Sequence, residues 1–326
     1  MKAVIIESFG GPEQLSLGEW EKPQPTQNQI LVKVNTTALN RADTLQRRGA
    51  YPPPAGASPI LGLEIAGEVA KVGAGVTQWQ PGDRVFGLVP GGGYAEYAVI
   101  HEAMAMPIPS GLTFEQAAAI PEVFLTAYQA MKWLADVQPG ETLLIHAGAS
   151  GVGTAALQLA QAMEVQTIVT ASAPKHQTCL DLGAALAIDY KTEDFQQKAM
   201  EFTEGKGVDA IIDFIAAPYF HQNIDALATD GRMVILALMG GMNVDGFNLG
   251  KVLRKRLKVM GSTLRARSLD YQIRLNQDLK AFAIPLIEQG KIKPIIDSVF
   301  DWAQAAEAHQ YMEANKNTGK VVLKVQ

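Results

Sequence analysis

Cysteine is nearly absent from this chain: Cys179 is the only one among 326 residues. An intramolecular disulfide is therefore excluded, and so is a zinc site built from several thiolates. The sequence also lacks a run of about 18 apolar residues that could cross a bilayer, and its start, MKAVIIESFG, has no signal-peptide pattern. We therefore expect a soluble cytoplasmic protein with no membrane partner.

Positive charge is in deficit, with a formal net charge of −5 at pH 7 and a pI near 5.6. Broad nucleic-acid-binding surfaces are basic, so this balance argues against a nucleic-acid partner. One basic stretch, KVLRKRLK, runs from Lys251 to Lys258. We interpret it as a helix whose last turn carries cations that suit its C-terminal dipole.

Short runs of β-branched and aromatic residues, separated by proline and glycine turns, fill the first third of the chain. Such runs suit pleated strands, and the turns between them are short. The pattern predicts an antiparallel, barrel-like domain over residues 1–121. The runs are KAVIIESFG, ILVKVNTTAL, IAGEVAKVG, DRVFGLV and YAEYAVI.

After Pro121 the pattern changes to six apolar runs of strand length that alternate with helical stretches. This alternation is typical of a doubly wound α/β fold, a six-stranded parallel sheet covered by helices on both faces. We predict such a dinucleotide-binding (Rossmann) domain over residues 122–263. Residues 264–326 contain two more helical segments and two more strand candidates, IIDSVF and VVLKV. We expect this tail to return to the first domain and complete it.

The stretch HAGASGVG, from His146 to Gly153, nearly matches the fingerprint G-x-G-x-x-G and lies between a predicted strand and a predicted helix. Gly148 is expected to permit the tight turn and Gly153 to let the helix pack closely. Gly151 and its neighbour Val152 are expected to direct amides at a pyrophosphate, aided by the helix dipole. Ser150 replaces the middle glycine, and we predict that it caps the helix and also contacts the ligand.

The second strand of this domain indicates the cofactor. An NAD site places an acid about 20 residues after the glycines, where it binds the ribose 2′-hydroxyl. Here the strand ends in TIVTASAPK, which has no acid. The small residues leave room for a phosphate, Lys175 can meet its charge, and Tyr190 after the third strand can complete the pocket. The sequence therefore predicts NADPH.

The order of barrel-like strands, GASGVG turn, six strands and returning tail resembles the medium-chain dehydrogenase/reductase superfamily over essentially the whole chain. The stretches ALNRADTLQRRGAYPPP, LGLEIAGEV, HAGASGVG and YMEANKNTGKVVL are similar to its quinone oxidoreductase, or ζ-crystallin-like, branch. YPPP, LMGG and the C-terminal stretch especially resemble the tumour-suppressor-inducible quinone oxidoreductases of that branch. The resemblance implies a GroES-like catalytic domain beside the Rossmann domain.

The departures from the zinc alcohol dehydrogenases of that superfamily bear on the metal. Those enzymes place a cysteine ligand where this chain has Asn40, and a His-Glu pair where it has Leu63 and Glu64. Catalytic zinc needs three protein ligands, and the five histidines show no ligand spacing. We therefore predict no metal and interpret the histidines as structural or surface residues; they are His101, His146, His176, His221 and His309.

The resemblance also implies site residues. Asn40, Asp43 and Tyr51 line the active-site cleft, with Tyr51 stacking on a planar acceptor and Asp43 capping a helix or acting as a general acid. Asn315 matches a position near the adenosine phosphate where some relatives carry arginine, and Thr126, predicted to open a helix, matches a cofactor contact. The ends of the last three predicted strands fall at the carboxyl edge of the sheet, where ligands bind, so we also expect cofactor contacts there. They are Phe214, Ile215, Leu238, Met239, Gly240 and Leu264.

Three functions stay open at this stage. The first is an NADPH-dependent quinone reductase that transfers hydride without a metal, since a quinone needs no Lewis acid. The second is an NADPH-dependent reductase of double bonds in enones or alkenals. The third is a non-catalytic NADPH-binding protein, crystallin-like or RNA-binding, although the acidic balance disfavours RNA. The resemblance further implies a homodimer formed through the LKVMGST strand.

Overall fold

The computed structural model describes residues 1–325 and divides the chain into two compact units. The first unit is discontinuous and comprises residues 1–125 and 265–326, while the second comprises residues 126–264. No helix in the described part of the chain is both long and apolar enough to span a membrane.

The first unit is built mainly from antiparallel strands. A hairpin pairs β1 with β2, and a seven-stranded sheet has the order β14-β15-β3-β4-β5-β7, with β6 also pairing with β3. All pairs in this sheet are antiparallel except β14 with β15. The strands are β1 (Lys2–Ile6), β2 (Leu15–Glu19), β3 (Gln29–Ala38), β4 (Glu64–Val72), β5 (Arg84–Leu88), β6 (Tyr97–His101), β7 (Ala105–Pro107), β14 (Ile296–Asp301) and β15 (Lys320–Lys324).

The second unit holds a six-stranded sheet of order β10-β9-β8-β11-β12-β13, in which every pair is parallel. The central strands β8 and β11 are buried, which explains their continuous apolar sequences. This arrangement confirms the predicted α/β fold with its six-stranded parallel sheet. The strands are β8 (Thr142–Ile145), β9 (Gln166–Ala171), β10 (Leu186–Asp189), β11 (Val208–Asp213), β12 (Leu227–Ile235) and β13 (Lys258–Gly261).

Ten α-helices connect these strands in the described residues. They are α1 (Arg41–Arg47), α2 (Phe114–Ala118), α3 (Pro121–Tyr128), α4 (Gly151–Ala162), α5 (His176–Asp181), α6 (Phe195–Phe202), α7 (Phe220–Ala226), α8 (Gly250–Lys255), α9 (Leu269–Glu288) and α10 (Ala305–Glu313).

The sequence pattern did not predict two of the strands, β2 and β7. β2 has the sequence LSLGE and β7 is only three residues long, so neither shows the apolar enrichment that identifies a strand. Thr126 does not open a helix as predicted, because α3 begins at Pro121 and Thr126 lies in its last turn, just before a π-helical segment at Gln129–Leu134. A cofactor contact by Thr126 stays a prediction. Pro121 suits the first helical position, where a missing N–H costs nothing.

Candidate cofactor site and buried polar centre

The glycine turn joins β8 to α4. Its left-handed residue is Ala147, with φ 51°. A Cβ on Gly148 would lie 2.5 Å from Cβ of Val169 on β9, and one on Gly153 would lie 2.5 Å from the carbonyl oxygens of Ala147 and Gly148. Gly148 therefore permits close packing on the second strand, and not the turn conformation that was expected of it. Gly153 lets the first turn of α4 lie against the glycine turn.

Ser150 is the N-cap of α4, as predicted: its hydroxyl accepts a hydrogen bond from the Gly153 amide at 3.1 Å. The amides of Gly151 and Val152 lie in the first helical turn, where no carbonyl of a preceding turn can accept them. Partly unsatisfied amides at the positive end of a 12-residue helix form a favourable anion site. Ligand contact by Ser150 stays a prediction.

The end of β9 carries no acidic side chain. Ala171 is buried there, Ser172 is half-buried, and a short 3₁₀ helix at Ala173–Lys175 follows. Lys175 is half-buried and close enough to the Cys179 thiol to oppose the rise in its pKa to about 11 that burial causes. Tyr190, directly after β10, is exposed. Both candidate phosphate ligands thus follow neighbouring parallel strands and lie at the same edge of the sheet.

The segments after β11 and β12 are joined by backbone hydrogen bonds. The amide of Met239 donates to the carbonyl of Phe214 at 3.1 Å, and the amide of Gly240 donates to that of Ile215 at 2.9 Å. A Cβ on Gly240 would lie 2.9 Å from the Ile215 carbonyl oxygen, so glycine permits this close approach. Phe214 is buried, whereas Leu238 and Met239 are about half exposed. The structure therefore brings these predicted residues together at the carboxyl edge.

The remaining predicted residues of the second unit are mostly buried. Thr126 and Leu264 are each less than a tenth exposed. Leu264 lies three residues beyond the end of β13, and the nearby Ser262 hydroxyl donates to the side-chain amide oxygen of Gln129 at 3.3 Å. The π-helical segment that follows Thr126 is thus joined to the segment that carries Leu264. Such single-turn π segments occur frequently at functional sites.

In the first unit, Asp43 is the hub of a buried network. Its carboxylate accepts hydrogen bonds from the amide of Asn40 at 2.8 Å, the amide of Gly62 at 3.1 Å and the hydroxyl of Tyr94 at 3.3 Å. Burial raises the pKa of Asp43 to about 6, while the two amide donors oppose that rise. Asp43 therefore caps the start of α1 and ties it to the residues before β4.

The network continues from Tyr94 to His309 and Arg47. Arg47 Nη1 lies 2.9 Å from His309 Nδ1, and His309 Nε2 lies 3.2 Å from the Tyr94 hydroxyl. A guanidinium can only donate, so Nδ1 accepts and the proton of the neutral imidazole resides on Nε2. His309 then donates to Tyr94, and Tyr94 donates to Asp43. Burial, reinforced by Arg47, lowers the pKa of His309 to about 3 and keeps the ring neutral.

A second buried cluster surrounds Glu64. Its carboxylate accepts from Asn40 Nδ2 at 2.8 Å and from the amide of Glu122 at 2.9 Å, and it pairs with Lys320 Nζ at 2.7 Å. Lys320 also donates to the Asn40 side-chain oxygen and to the Leu39 carbonyl, each at 2.7 Å. Glu64 and Lys320 are both almost fully buried, and each has its charge compensated by the other.

The resemblance described above places a zinc site of the alcohol dehydrogenases at Asn40, Leu63 and Glu64. Here the carboxylate of Glu64 already receives three donors, one of which is the ammonium of Lys320. Asn40 and Leu63 occupy the positions of the cysteine and histidine ligands. Across residues 1–325 no group of three His, Cys, Asp or Glu side chains could hold a metal. The donor set does not fit zinc, and the absence of a metal cofactor stays a prediction.

Tyr51 and Asn315 both lie beside arginines. Arg265 has its guanidinium 5.5 Å from the Tyr51 ring centre and donates to the Pro90 carbonyl. Burial raises the pKa of Tyr51, so its hydroxyl stays protonated. Asn315 has φ 54° just after α10, the left-handed position that asparagine tolerates at helix ends, and accepts a hydrogen bond from Arg41. Arg41 thus brings a cation to the position where some relatives carry arginine.

Two residues in these networks were missed or undervalued by the sequence pattern. Lys320 opens the apolar run KVVLKV, and nothing local distinguishes it from the exposed Lys324 of the same strand. For His309 the sequence predicts only a structural or surface role, because its partner Arg47 is 262 positions away. Only the folded chain could identify these pairs.

Comparisons with known proteins agree with this architecture. Residues 26–110 match the sequence family described as alcohol dehydrogenase GroES-like domain, and residues 182–323 match the family described as zinc-binding dehydrogenase. The quinone oxidoreductase of Pseudomonas aeruginosa is 35% identical over 99% of both chains.

Two solved structures cover the whole of this chain. The Escherichia coli quinone oxidoreductase complexed with NADPH is 31% identical and superimposes with a TM-score of 0.89 over 100% of both chains. The CurK enoyl reductase is 29% identical, with a TM-score of 0.89 over 100% of this chain and 99% of its own. The chain therefore belongs to the medium-chain dehydrogenase/reductase superfamily, and within it to the quinone oxidoreductase family.

Proposed function

We propose that this chain is an NADPH-dependent quinone reductase that transfers hydride from the nicotinamide to a quinone without a metal ion. The family is one of oxidoreductases. The quinone as hydride acceptor is our proposal. The observation that carries the cofactor assignment is the end of β9, where small uncharged residues precede a half-buried Lys175.

The charge at this edge of the sheet supports NADPH. A 2′-phosphate is a dianion, so an acid at the strand end would repel it, whereas an ammonium forms charge-assisted hydrogen bonds with it. The N-terminus of α4, capped by Ser150, provides amides for the pyrophosphate. The E. coli relative was crystallised with NADPH, which is consistent with this assignment.

For hydride transfer to a quinone, the main task of the protein is to position the dinucleotide and the acceptor. NADPH supplies the hydride when it is bound, and a quinone accepts it without metal polarisation because the product is aromatic. The resemblance assigns the acceptor side to Asn40, Asp43 and Tyr51. The Tyr51 hydroxyl, protonated because burial raises its pKa, can donate to a quinone oxygen. Asp43 is already engaged by three donors, so we assign it a capping role and not that of a general acid.

Cofactor preference tests the proposal directly. NADPH should bind the unmodified chain more tightly than NADH, and Lys175→Ala should weaken NADPH by roughly 1.5–3 kcal/mol, the value of one charge-assisted hydrogen bond, with little change for NADH. Isothermal titration of both dinucleotides measures this. Lys206→Ala, an exposed lysine of the same unit, is the matched control. Equal loss for both dinucleotides would contradict the phosphate assignment.

The acceptor is tested by turnover. A panel of ortho- and para-quinones against enones and alkenals should show higher kcat/KM for quinones, before and after exhaustive chelation. Faster turnover of enones would favour the double-bond reductase, a second candidate supported by the likeness to the CurK enoyl reductase. NADPH binding with no turnover of either class would favour a crystallin-like or RNA-binding role, and a metal-dependent rate would contradict the metal-free step.

We also propose a homodimer formed at β13. This strand is the last of the six-stranded sheet, and its residues are mostly exposed. Large apolar side chains just before it, Leu249 and Leu253, are about three-quarters exposed. An exposed edge strand flanked by apolar surface favours pairing with a second copy.

A further inference from the structure

A chain of buried hydrogen bonds crosses three neighbouring strands at the carboxyl edge of the six-stranded sheet. It contains Thr170 of β9, His146 after β8, Asn223 of α7 and Asp213 at the end of β11. Each of these polar residues is at most 2% exposed. Buried polar groups are costly unless every one of them is satisfied, so this chain has a definite hydrogen-bonding pattern.

The direction of each hydrogen bond follows from its ends. The Asp213 carboxylate accepts from the amides of Ile215 at 2.7 Å and Ala216 at 3.1 Å. The side-chain NH₂ of Asn223 donates to the same carboxylate at 3.1 Å, so its oxygen faces His146 Nε2 at 2.7 Å. A carbonyl oxygen can only accept, and therefore Nε2 carries the proton.

The other imidazole nitrogen completes the chain. With the proton on Nε2, Nδ1 accepts from the Thr170 hydroxyl at 3.0 Å, and that hydroxyl accepts from the Ala147 amide at 3.3 Å. Burial lowers the pKa of His146, so the ring stays neutral. The rings of Phe195 and Tyr219, with centres 4.8 and 4.9 Å away, hold it in place.

Both ends of the chain are strained residues in the proposed cofactor site. Ala147 in the glycine turn has φ 51°, and Ala216, which follows Phe214 and Ile215, has φ 67°. A non-glycine residue in such a conformation is strained and persists only where its surroundings impose it. The chain of hydrogen bonds supplies that constraint at both residues, because the Ala147 amide donates to Thr170 and the Ala216 amide donates to Asp213.

We propose that His146 is a positioning residue for dinucleotide binding. As a neutral imidazole with its proton on Nε2, it couples the phosphate-binding turn to the segment after β11, so that both keep the backbone geometry the dinucleotide needs. The inference rests on the proposed function, in that NADPH binds at this edge. A histidine that only filled the core would stabilise the fold without affecting the affinity for NADPH.

Nitrogen-15 NMR of the full chain without cofactor tests the tautomer. The His146 signals, assigned by their loss in His146→Gln, should show a protonated Nε2 and an unprotonated Nδ1 at pH 7. Protonation at Nδ1, or at both nitrogens, would overturn the inference whatever the chain binds.

A pair of threonine variants tests the coupling. Thr170→Val removes the donor to Nδ1 and should raise the Kd for NADPH roughly three- to tenfold, the range expected for one lost hydrogen bond. Thr167→Val removes a hydrogen bond from an equally buried threonine of β9, whose hydroxyl donates to the Gly183 carbonyl at 3.3 Å, and should leave the Kd within about twofold. Both variants should lower Tm to a similar extent.

The outcomes separate this inference from the proposed function. Equal Kd values for Thr170→Val and the unmodified chain, or equal weakening by both threonine variants, would overturn the positioning role alone. Failure of the unmodified chain to bind NADPH would overturn the proposed function, while the tautomer measured by NMR would still be decided independently.

Discussion

Single buried polar residues in the first unit form a polarised chain from Arg47 through His309 and Tyr94 to Asp43. Every donor in it points toward the carboxylate, so the charges of Arg47 and Asp43 are connected through two neutral rings. Burial and the neighbouring Asp43 raise the pKa of Tyr94 well above its ordinary value, so that Tyr94 remains a donor. The geometry of α1, and with it of Asn40, depends on these few groups.

The opposite pKa shifts of His309 and Asp43 predict the pH dependence of stability. The pKa of His309 is lowered from 6.5 to about 3, so its contribution is present above pH 6.5 and is lost as the pH falls from 6.5 to 3. The pKa of Asp43 is raised from 3.8 to about 6. Its contribution to the free energy of unfolding is therefore present below pH 3.8 and is lost as the pH rises from 3.8 to 6.

The variant His309→Gln isolates the contribution of His309 to the pH dependence of the free energy of unfolding. Between pH 6 and 4 the free energy of unfolding of the unmodified chain should fall more steeply than that of His309→Gln, by up to about 1.4 kcal/mol per pH unit for one proton. Urea unfolding at a series of pH values measures both slopes, with the exposed His221→Gln as the control. Parallel slopes for all three proteins would show that His309 does not titrate as the buried network requires.

Among the elements, the junction between β8, α4 and β9 depends on very close backbone approaches. A Cβ at Gly148 would lie 2.5 Å from Cβ of Val169, a buried residue of β9 that cannot move away cheaply. Gly148→Ala should therefore lower the free energy of unfolding by about 1–3 kcal/mol, as overpacking typically does. Because the same shift displaces the turn, the Kd for NADPH should rise as well. Unchanged stability in urea unfolding would contradict this packing.

The basic helix α8 carries cations in its last turn, Arg254 and Lys255, as predicted. Lys255 also has a second role, because its Nζ donates to the carbonyls of Ile224, Asp225 and Leu227 at the end of α7. The ammonium therefore satisfies the C-terminus of a neighbouring helix. Lys251 and Arg256 form ion pairs with Asp225 and Asp230, which leaves this run a poor candidate for a nucleic-acid surface.

For the whole molecule, the main prediction is self-association through β13. Sedimentation should give twice the 35.0 kDa chain mass, and Val259→Asp, which places a charge on the exposed edge strand, should shift the protein toward monomer. Leu180→Asp is the matched control, since Leu180 is similarly exposed but lies on α5, which packs against β10 at the other end of the sheet. A monomeric unmodified chain, or equal effects of both variants, would contradict the proposed dimer.

The order of the elements, the parallel sheet and the place of the glycine turn could be predicted from the sequence alone. These features follow from local patterns: apolar runs of strand length, helical periodicity, a capping serine and the absence of an acid after β9. The short strands β2 and β7 lack such a pattern and were missed.

The pairing of the buried polar groups was decided only by the tertiary structure. Three hydrogen-bonded pairs are far apart in the sequence: Lys320 and Asn40 by 280 positions, Arg47 and His309 by 262, and His146 and Asn223 by 77. No local rule specifies such partners, because a charged or polar side chain has the same sequence signature whether it faces water or a buried acceptor. Desolvation makes the correct pairing obligatory once the chain has folded, and so the protonation states and tautomers of these residues belong to the fold.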